Sequence, residues 1–408
     1  MRTCRLSFYL IGAAIVLPCQ VNAAPPMPAA TGTTLKQAVE GAWQRAPAAR
    51  TLDARQAEAS AARDIARSWI ASNPTLGLSQ RADQGSSERD QRESEISVSS
   101  SFFMPGQKSA REALAERNTE EIAAHLGATR LAVAGLVRNR VWEAAAANVR
   151  LAERQDHLEH LEGLLDEVQQ RVKAGDLARS DGLLAEQEVL SARIAVSDAR
   201  TAALEALARY RVVTGLPDLP ALEPEPLSES NVPANPLVAA AQASEQRARA
   251  ALRLATASRS APPTIALSVR REDERLLQKP VNSIGVALQI PIGTAGRNRV
   301  AEAQAQTTIS TAAAEAAEVQ ANADADLEIA KARVTNARVA IQTATARATA
   351  LHEHTALFEK AFRQGEKGLA DLLRSRALTH EADVAVAQQK VALGLAHAQL
   401  NQALGILP

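Results

Sequence analysis

Aromatic residues are nearly missing, at 2% of a 408-residue chain, although hydrophobic residues reach 46%. A large globular core normally draws on aromatic bulk beside Leu, Ile and Val. Here alanine supplies much of the apolar total, a composition that suits long helices packed closely side by side. Cysteine is also scarce. The two present, Cys4 and Cys19, both lie at the start. If that segment is removed, no thiol remains, which excludes a disulfide scaffold, a cysteine zinc site and a cysteine nucleophile. An excess of either charge is lacking too, with 46 Lys+Arg against 46 Asp+Glu. A polyanion such as nucleic acid is therefore not an expected partner. No nucleophile elbow, zinc-protease motif or paired-carboxylate constellation occurs, so neither an enzyme nor a cofactor is expected.

What is present begins with a leader. Arg2 and Arg5 precede an apolar stretch from Leu6 to Leu17, Pro18 ends it, and Val21-Asn22-Ala23 is a small-residue cleavage site. This three-part layout reads as a secretory signal peptide over residues 1–23. The stretch is too short to span a bilayer, which takes about 20 residues. A lipoprotein signal acylated at Cys19 is the alternative, for which Val16-Leu17-Pro18 is a poor match.

The rest of the chain is written twice. Pro47 and Pro236 each open a helical pattern, Pro74 and Pro263 each follow one, and both pairs lie 189 residues apart. Gly175 through Asp181 parallels Gly365 through Asp371 at an offset of 190, as Gly215-Leu216-Pro217 parallels Gly405-Ile406-Leu407-Pro408. Near-constant offset over this length indicates duplication. The expected units are a first repeat over 24–217, a proline-rich extended connector over 218–235 and a second repeat over 236–408.

Each repeat has one plan: helix, two strands, very long helix, turn, long helix. In the first, Leu35–Arg45 and Pro47–Ser72 are expected helices. Strands are expected near 74–83 and 93–103, and near 264–271 and 283–291 in the second repeat, because apolar residues alternate with small or polar ones. Polar loops Ala82–Arg92 and Glu272–Asn282 join them and suit the cell exterior. Four strands with one apolar face make sense against lipid. An open sheet cannot sit there, since its edge groups would be unsatisfied. The barrel must be shared between chains, with 12 strands for three copies or 8 for two. Helical hairpins are expected over 106–214 and 296–404. Leu151, Leu158, Leu165 and Val172 mark a seven-residue seam. A helix from Gly106 to Ala174 would reach about 100 Å.

This layout resembles the TolC family of outer-membrane efflux channels over essentially the whole mature chain. Thr34-Leu35-Lys36-Gln37-Ala38 through Ala46-Pro47 is similar to the family's opening motif. Phe102-Phe103-Met104-Pro105-Gly106-Gln107-Lys108, and Gln289-Ile290-Pro291-Ile292 before Gly296-Arg297, resemble its strand-to-helix junctions. Gly175…Asp181 and Gly365…Asp371-Leu372-Leu373 are similar to its two helix-turn-helix tips. The resemblance implies a mainly α homotrimer with a small β part: a 12-strand outer-membrane barrel continued by a periplasmic α-helical barrel. It implies docking on a periplasmic membrane fusion (adaptor) protein and an inner-membrane efflux pump. The short length and lack of a C-terminal extension look most like the cobalt-zinc-cadmium efflux branch, with a drug or organic-solute duct as the alternative.

The same resemblance assigns residues. Gly175, Leu177, Gly365 and Leu369 fall in the adaptor-contacting tips. Ser180, Asp181, Lys367 and Asp371 fall at the periplasmic gate, Lys367 standing where the best-known members have Arg. Phe362 replaces a Tyr, so that hydroxyl link is absent, and Arg374 replaces a second entrance Asp, leaving Asp371 alone. Without the resemblance, the glycines read as helix caps and the acids as helix-start charges. His157 and His160, at i,i+3, could chelate a metal, whereas His352 and His354, at i,i+2, diverge. With no cysteine nearby, no metal site is expected. Rival readings are a soluble periplasmic coiled-coil structural protein and an adaptor, which would carry one hairpin rather than two.

Overall fold

The computed structural model describes residues 33–82, 91–227, 234–274 and 279–408. The expected leader with Cys19 and the tips of both polar loops lie outside these residues. Helices α1 (Leu35–Arg45) and α2 (Pro47–Ala66) lead into strands β1 (Thr75–Ala82) and β2 (Gln91–Ser101). The long helices α3 (Gln107–Ala174) and α4 (Arg179–Thr214) follow. After the connector come α5 (Pro236–Ala257), β3 (Thr264–Glu274), β4 (Val281–Gln289), α6 (Ala295–Arg363) and α7 (Leu369–Ala403).

Helix α1 starts at a full capping box, in which the Thr34 hydroxyl accepts from Gln37 N and Gln37 returns the bond. Pro at the first position of α2 and α5 costs no hydrogen bond there. The prolines that follow do not end these helices. Helix α2 stops at Ala66, short of the expected Ser72, and α5 stops at Ala257. In the freed stretch Ile70 bridges to Phe102, and Ala71 N donates to Ser101 O at 2.7 Å. Backbone that would have been helical instead extends the sheet's edge toward the helices.

The four strands form one antiparallel sheet in the order β1-β2-β3-β4. Ser97 of β2 faces Ser268 of β3, so the central pairing joins the two repeats. Beyond the sheet the helices lie side by side. Toward the turns, α4 packs on α3, α3 on α7 and α7 on α6. Toward the sheet, α5 takes the place of α7 between α3 and α6.

Helices α7 and α5 meet end to end. Asn235 caps α5 by accepting from Leu237 N at 2.9 Å, and its Nδ2 donates to Ala403 O at 3.0 Å. One side chain therefore satisfies an orphan donor of one helix and an orphan acceptor of the other. Gly405, at φ +78° just past the end of α7, packs against Pro236.

The connector is not a free spacer. Over 218–227 it lies on the helices, where Tyr210 Oη donates to Asp218 O at 3.1 Å. Leu227 joins a core of Ala330, Val334, Ala396 and Leu400.

Candidate functional site

The sheet has two unlike faces. Leu76, Val98, Leu267 and Val286 stand opposite one another across the four strands, as do Leu78, Ile96, Val269 and Ile284. These eight side chains share one face, since alternate residues of a strand point the same way. They have no cover: Leu76 is 68% exposed, Leu78 73%, Ile284 78% and Val286 74%. The opposite face carries Gly77, Ser97, Ser268 and Gly285 in one row. A Cβ at Gly77 would meet the Ser97 hydroxyl at 2.6 Å, so small residues there let the sheet curve tightly. Arg270 on that face pairs with Glu93 and sits beside Glu95 and Glu272.

The apolar face is bounded along its length. Gln80, Ser94, Arg271 and Asn282 form the next row toward the hairpin loops. In the other direction apolar residues continue on β4 and past it through Leu288, Ile290 and Ile292, all exposed. From Ile284 to Ile292 the chain covers about 27 Å along the strand. With the usual tilt that is about 20 Å, close to the apolar band of outer-membrane barrels, roughly 25 Å. At the helix end Trp69 is 85% exposed, with Lys108 Nζ 5.2 Å from its ring centroid.

At the far end of the helices the turns take the shapes their glycines allow. Gly175 (φ +87°) and Gly365 (φ +75°) each follow a long helix. Asp176 N returns to Arg171 O and Glu366 N to Ala361 O, both at 2.9 Å, closing the last carbonyls. Asp181 sits in the first turn of α4, where its Oδ2 accepts from Ala178 N at 3.2 Å. It is half of a capping box, because Ala178 has no hydroxyl to complete it. Lys367 Nζ lies 5.4 Å from the Phe358 ring centroid. Among the described residues no ion pair joins Asp181 to Lys367 within the chain. Ser180 and Asp371 are exposed, as are Gly175 and Gly365.

Leu369 is buried, and with Phe362 and Leu372 it packs against Leu164, Val168 and Ala185 of the other hairpin. In this conformation it presents no surface to a partner. Leu177 is partly buried against the same cluster. Phe362, which lacks the hydroxyl expected from the resemblance, is a core residue stacked under Arg171, 4.8 Å from its ring.

Three features are not foreshadowed by any motif. Arg138 of α3 is buried and binds Glu225 of the connector with two bonds, at 2.9 and 2.7 Å, while donating to Gln402 of α7 at 2.8 Å. Asn401 also donates to Glu225, at 3.2 Å. The clasp ties first repeat, connector and second repeat at one point. Next to it Trp142 of α3 fills the space over Gly394 of α7, leaving no room for a Cβ there. Lower on the same seam the rings of His157 (α3) and His380 (α7) stack, with centroids 3.8 Å apart and planes 10° apart. His157 and His160, whose spacing could allow chelation, do not come together as a pair: His160 Nδ1 lies 2.8 Å from Asp156 O. His352 pairs with Asp383 at 2.8 Å and His354 with the Ser375 hydroxyl at 3.0 Å. Among the described residues no group of three potential ligands is placed to hold a metal ion. Sequence periodicity could locate the seam but not pair residues more than 200 positions apart.

No protein-family model matches the chain, and no curated protein sequence does. Solved structures do. The outer membrane protein VceC of Vibrio cholerae is 16% identical with a TM-score of 0.74, covering 91% of this chain and 96% of its own. The outer membrane channel CmeC of Campylobacter jejuni is 13% identical with a TM-score of 0.73, covering 91% and 85%. The MtrE outer membrane channel of Neisseria gonorrhoeae, in its open state, is 19% identical with a TM-score of 0.71, covering 91% and 89%. At these identities the likeness establishes that the chain has the fold of outer membrane channels, with its four-stranded sheet and paired long helices.

Proposed function

We propose that the chain is the outer-membrane duct of a tripartite efflux system, a passive homotrimer without an energy source of its own. The observation that carries this reading is the uncovered apolar face of the sheet, bounded by polar residues toward the loops and continued by helices of about 100 Å. Such a face is stable against lipid and costly against water. The edges β1 and β4 have no partner among the described residues, and open edges are not tolerated in a membrane. Pairing β1 of one copy with β4 of the next closes a 12-strand barrel from three chains.

The helices support the same assembly. Leu183, Leu190, Ile194 and Leu204 lie exposed on α4, at one edge of the helical layer, and Ile329, Val339 and Leu357 on α6, at the other. Packing α4 of one copy on α6 of the next buries both stripes and makes a tube through the periplasm. At its lower mouth Ser180, Asp181, Lys367 and Asp371 form the gate, with Lys367 of one copy facing Asp181 of another. The exposed tip turns at Gly175 and Gly365 meet the adaptor, which connects to the inner-membrane pump. The cargo is chosen by the pump; heavy-metal cations, as in the cobalt-zinc-cadmium branch, are the first class to test and organic solutes the second.

The test is fractionation. Heat-modifiable trimers in outer-membrane extracts are expected, together with labelling of a Ser86→Cys variant on whole cells by an impermeant reagent. A wholly soluble periplasmic protein ends this reading in favour of a coiled-coil structural role. Metal and drug sensitivity of a deletion strain separates the two cargo classes.

A further inference from the structure

We infer that the His157–His380 stack is a proton-operated latch on the α3–α7 seam, closed at neutral pH and released by acid. Among the described residues this seam is the main packing between the two hairpins' long helices along the lower body, joined near the turns by Phe362 of α6. Its upper part is fixed by Trp142 over Gly394, with Ala145 and Ala398 packed beside them. Its middle holds two imidazoles in face contact, one from each repeat, and below them Leu164 and Val168 of α3 pack on Leu369 and Leu372 of α7. Neutral rings stack well in that geometry, whereas two imidazolium rings 3.8 Å apart repel.

The surroundings do not neutralise such a charge. On α3 the rings meet Arg154 and His160, which oppose protonation, and Asp156, which favours it. On α7 Asp383 favours it for His380, but that carboxylate is shared with His352 of α6. Glu153, beside Asp156 and Asp383 and near Lys390, has its own pKa raised, first by burial. Helix α4 packs on α3 through Leu158, Leu161, Val189 and Ala192 and brings no charge that shifts either ring. His380 Nε2 is buried with no hydrogen-bond partner, so a proton placed there finds no acceptor.

Burial, then His380, then Arg154 hold the His157 pKa down from 6.5 to about 4. Burial and Arg154 lower that of His380. Rings released from the stack regain an ordinary value, so protonation pulls the seam open. A difference of this size shifts the closed-to-open equilibrium by up to about 300-fold over the whole titration, of which about 80-fold falls between pH 6.5 and pH 4.

The test uses the full-length protein in detergent, spin-labelled at Gln155→Cys and Gln388→Cys, with distances measured by pulsed electron resonance from pH 7.5 to 4. A lengthened or broadened distribution is expected in acid, with a midpoint between about 4 and 6.5. His157→Phe/His380→Phe, which keeps two stacked rings and removes both protons, should be flat over this range. Each single Phe variant should open less and with a midpoint moved to lower pH, because the like-charge repulsion that drives release is gone. A parent that does not change overturns the latch, as does an equal change in the double variant. If the double variant does not assemble, unmoved midpoints in both single variants overturn it.

Discussion

The two helical hairpins share a backbone plan and differ in what fills them. At an offset of 190, Leu165, Ala185 and Val189 of the first correspond to Thr355, Ser375 and Thr379 of the second. In the first, Val189 packs with Leu158, Leu161, Leu165 and Ala192. In the second, the Thr355 hydroxyl lies 2.7 Å from those of both Ser375 and Thr379, all three buried. Burying a Leu or Val side chain contributes about 1.5–3 kcal/mol. A satisfied hydrogen bond contributes about 0.5–1.5 kcal/mol net. The first hairpin is held by contacts that need close packing. The second is held by hydroxyls that can exchange partners. The same level of each hairpin carries a cross-helix polar pair with its order reversed: Glu162 with Arg193 at 2.7 Å, and His352 with Asp383 at 2.8 Å. Duplication preserved geometry while cohesion diverged.

The largest expected effect comes from the point where the halves are joined. Arg138→Met strands the Glu225 carboxylate in a buried site and should cost about 3–5 kcal/mol. Adding Glu225→Leu should recover most of it, since the uncompensated charge is then gone. Thermal unfolding of the purified protein checks both. If the single variant loses under 1 kcal/mol, the halves do not depend on the clasp.

Exchanging the fillings is the direct way to break the comparison. Leu165→Thr/Ala185→Ser/Val189→Thr in the first hairpin should cost about 2–4 kcal/mol through lost burial and added polar groups. The reverse exchange, Thr355→Leu/Ser375→Ala/Thr379→Val, should slow amide exchange along α6 and α7. Hydrogen exchange read by mass spectrometry separates the hairpins. Equal protection of both in the parent would remove the distinction drawn here.

Acid should act on the seam between them. The His157 pKa is lower folded than unfolded, so its contribution is complete above about pH 6.5, declines as pH falls toward 4 and is constant below that. Allowing for solvent screening of a half-buried group, the loss is about 1–2 kcal/mol. Melting temperatures at pH 7.5 and 4.5 should converge in His157→Phe relative to the parent. The smallest effect is expected from His352→Arg, which gives the second hairpin a permanently charged cross-helix pair like that of the first. On an exposed surface it should add no more than about 1 kcal/mol at pH 8.

Much of this architecture was legible before any coordinates. Prolines at helix starts, period-two alternation and glycines at equal offsets are local signals, and each marks an element or a turn where it stands. The ends of α2 and α5 depart from the proline signal for a local reason as well. Pro74 and Pro263 predict the stop, but the sheet competes for residues before Pro74 and claims Ile70 and Ala71. The clasp, the Trp142–Gly394 packing and the histidine stack were illegible because each joins residues from different repeats. Arg138 reads as one more helix-surface arginine until Glu225 and Gln402 are beside it. The His157–His160 spacing suggested a pair along one helix, when the partner of His157 comes from another.

The end-to-end meeting of α7 and α5 has a mechanical side. Two unbroken rods, α3 and α6, flank a third that is cut at Ala403 and resumed at Pro236. A cut rod between two whole ones is a splinted joint: tension and compression run through the splints, and bending concentrates at the cut. Asn235, bonded to both ends, is the pin of that joint. At that level the two unbroken helices alone carry load from the turns to the sheet, and Asn235 only keeps the cut ends in line.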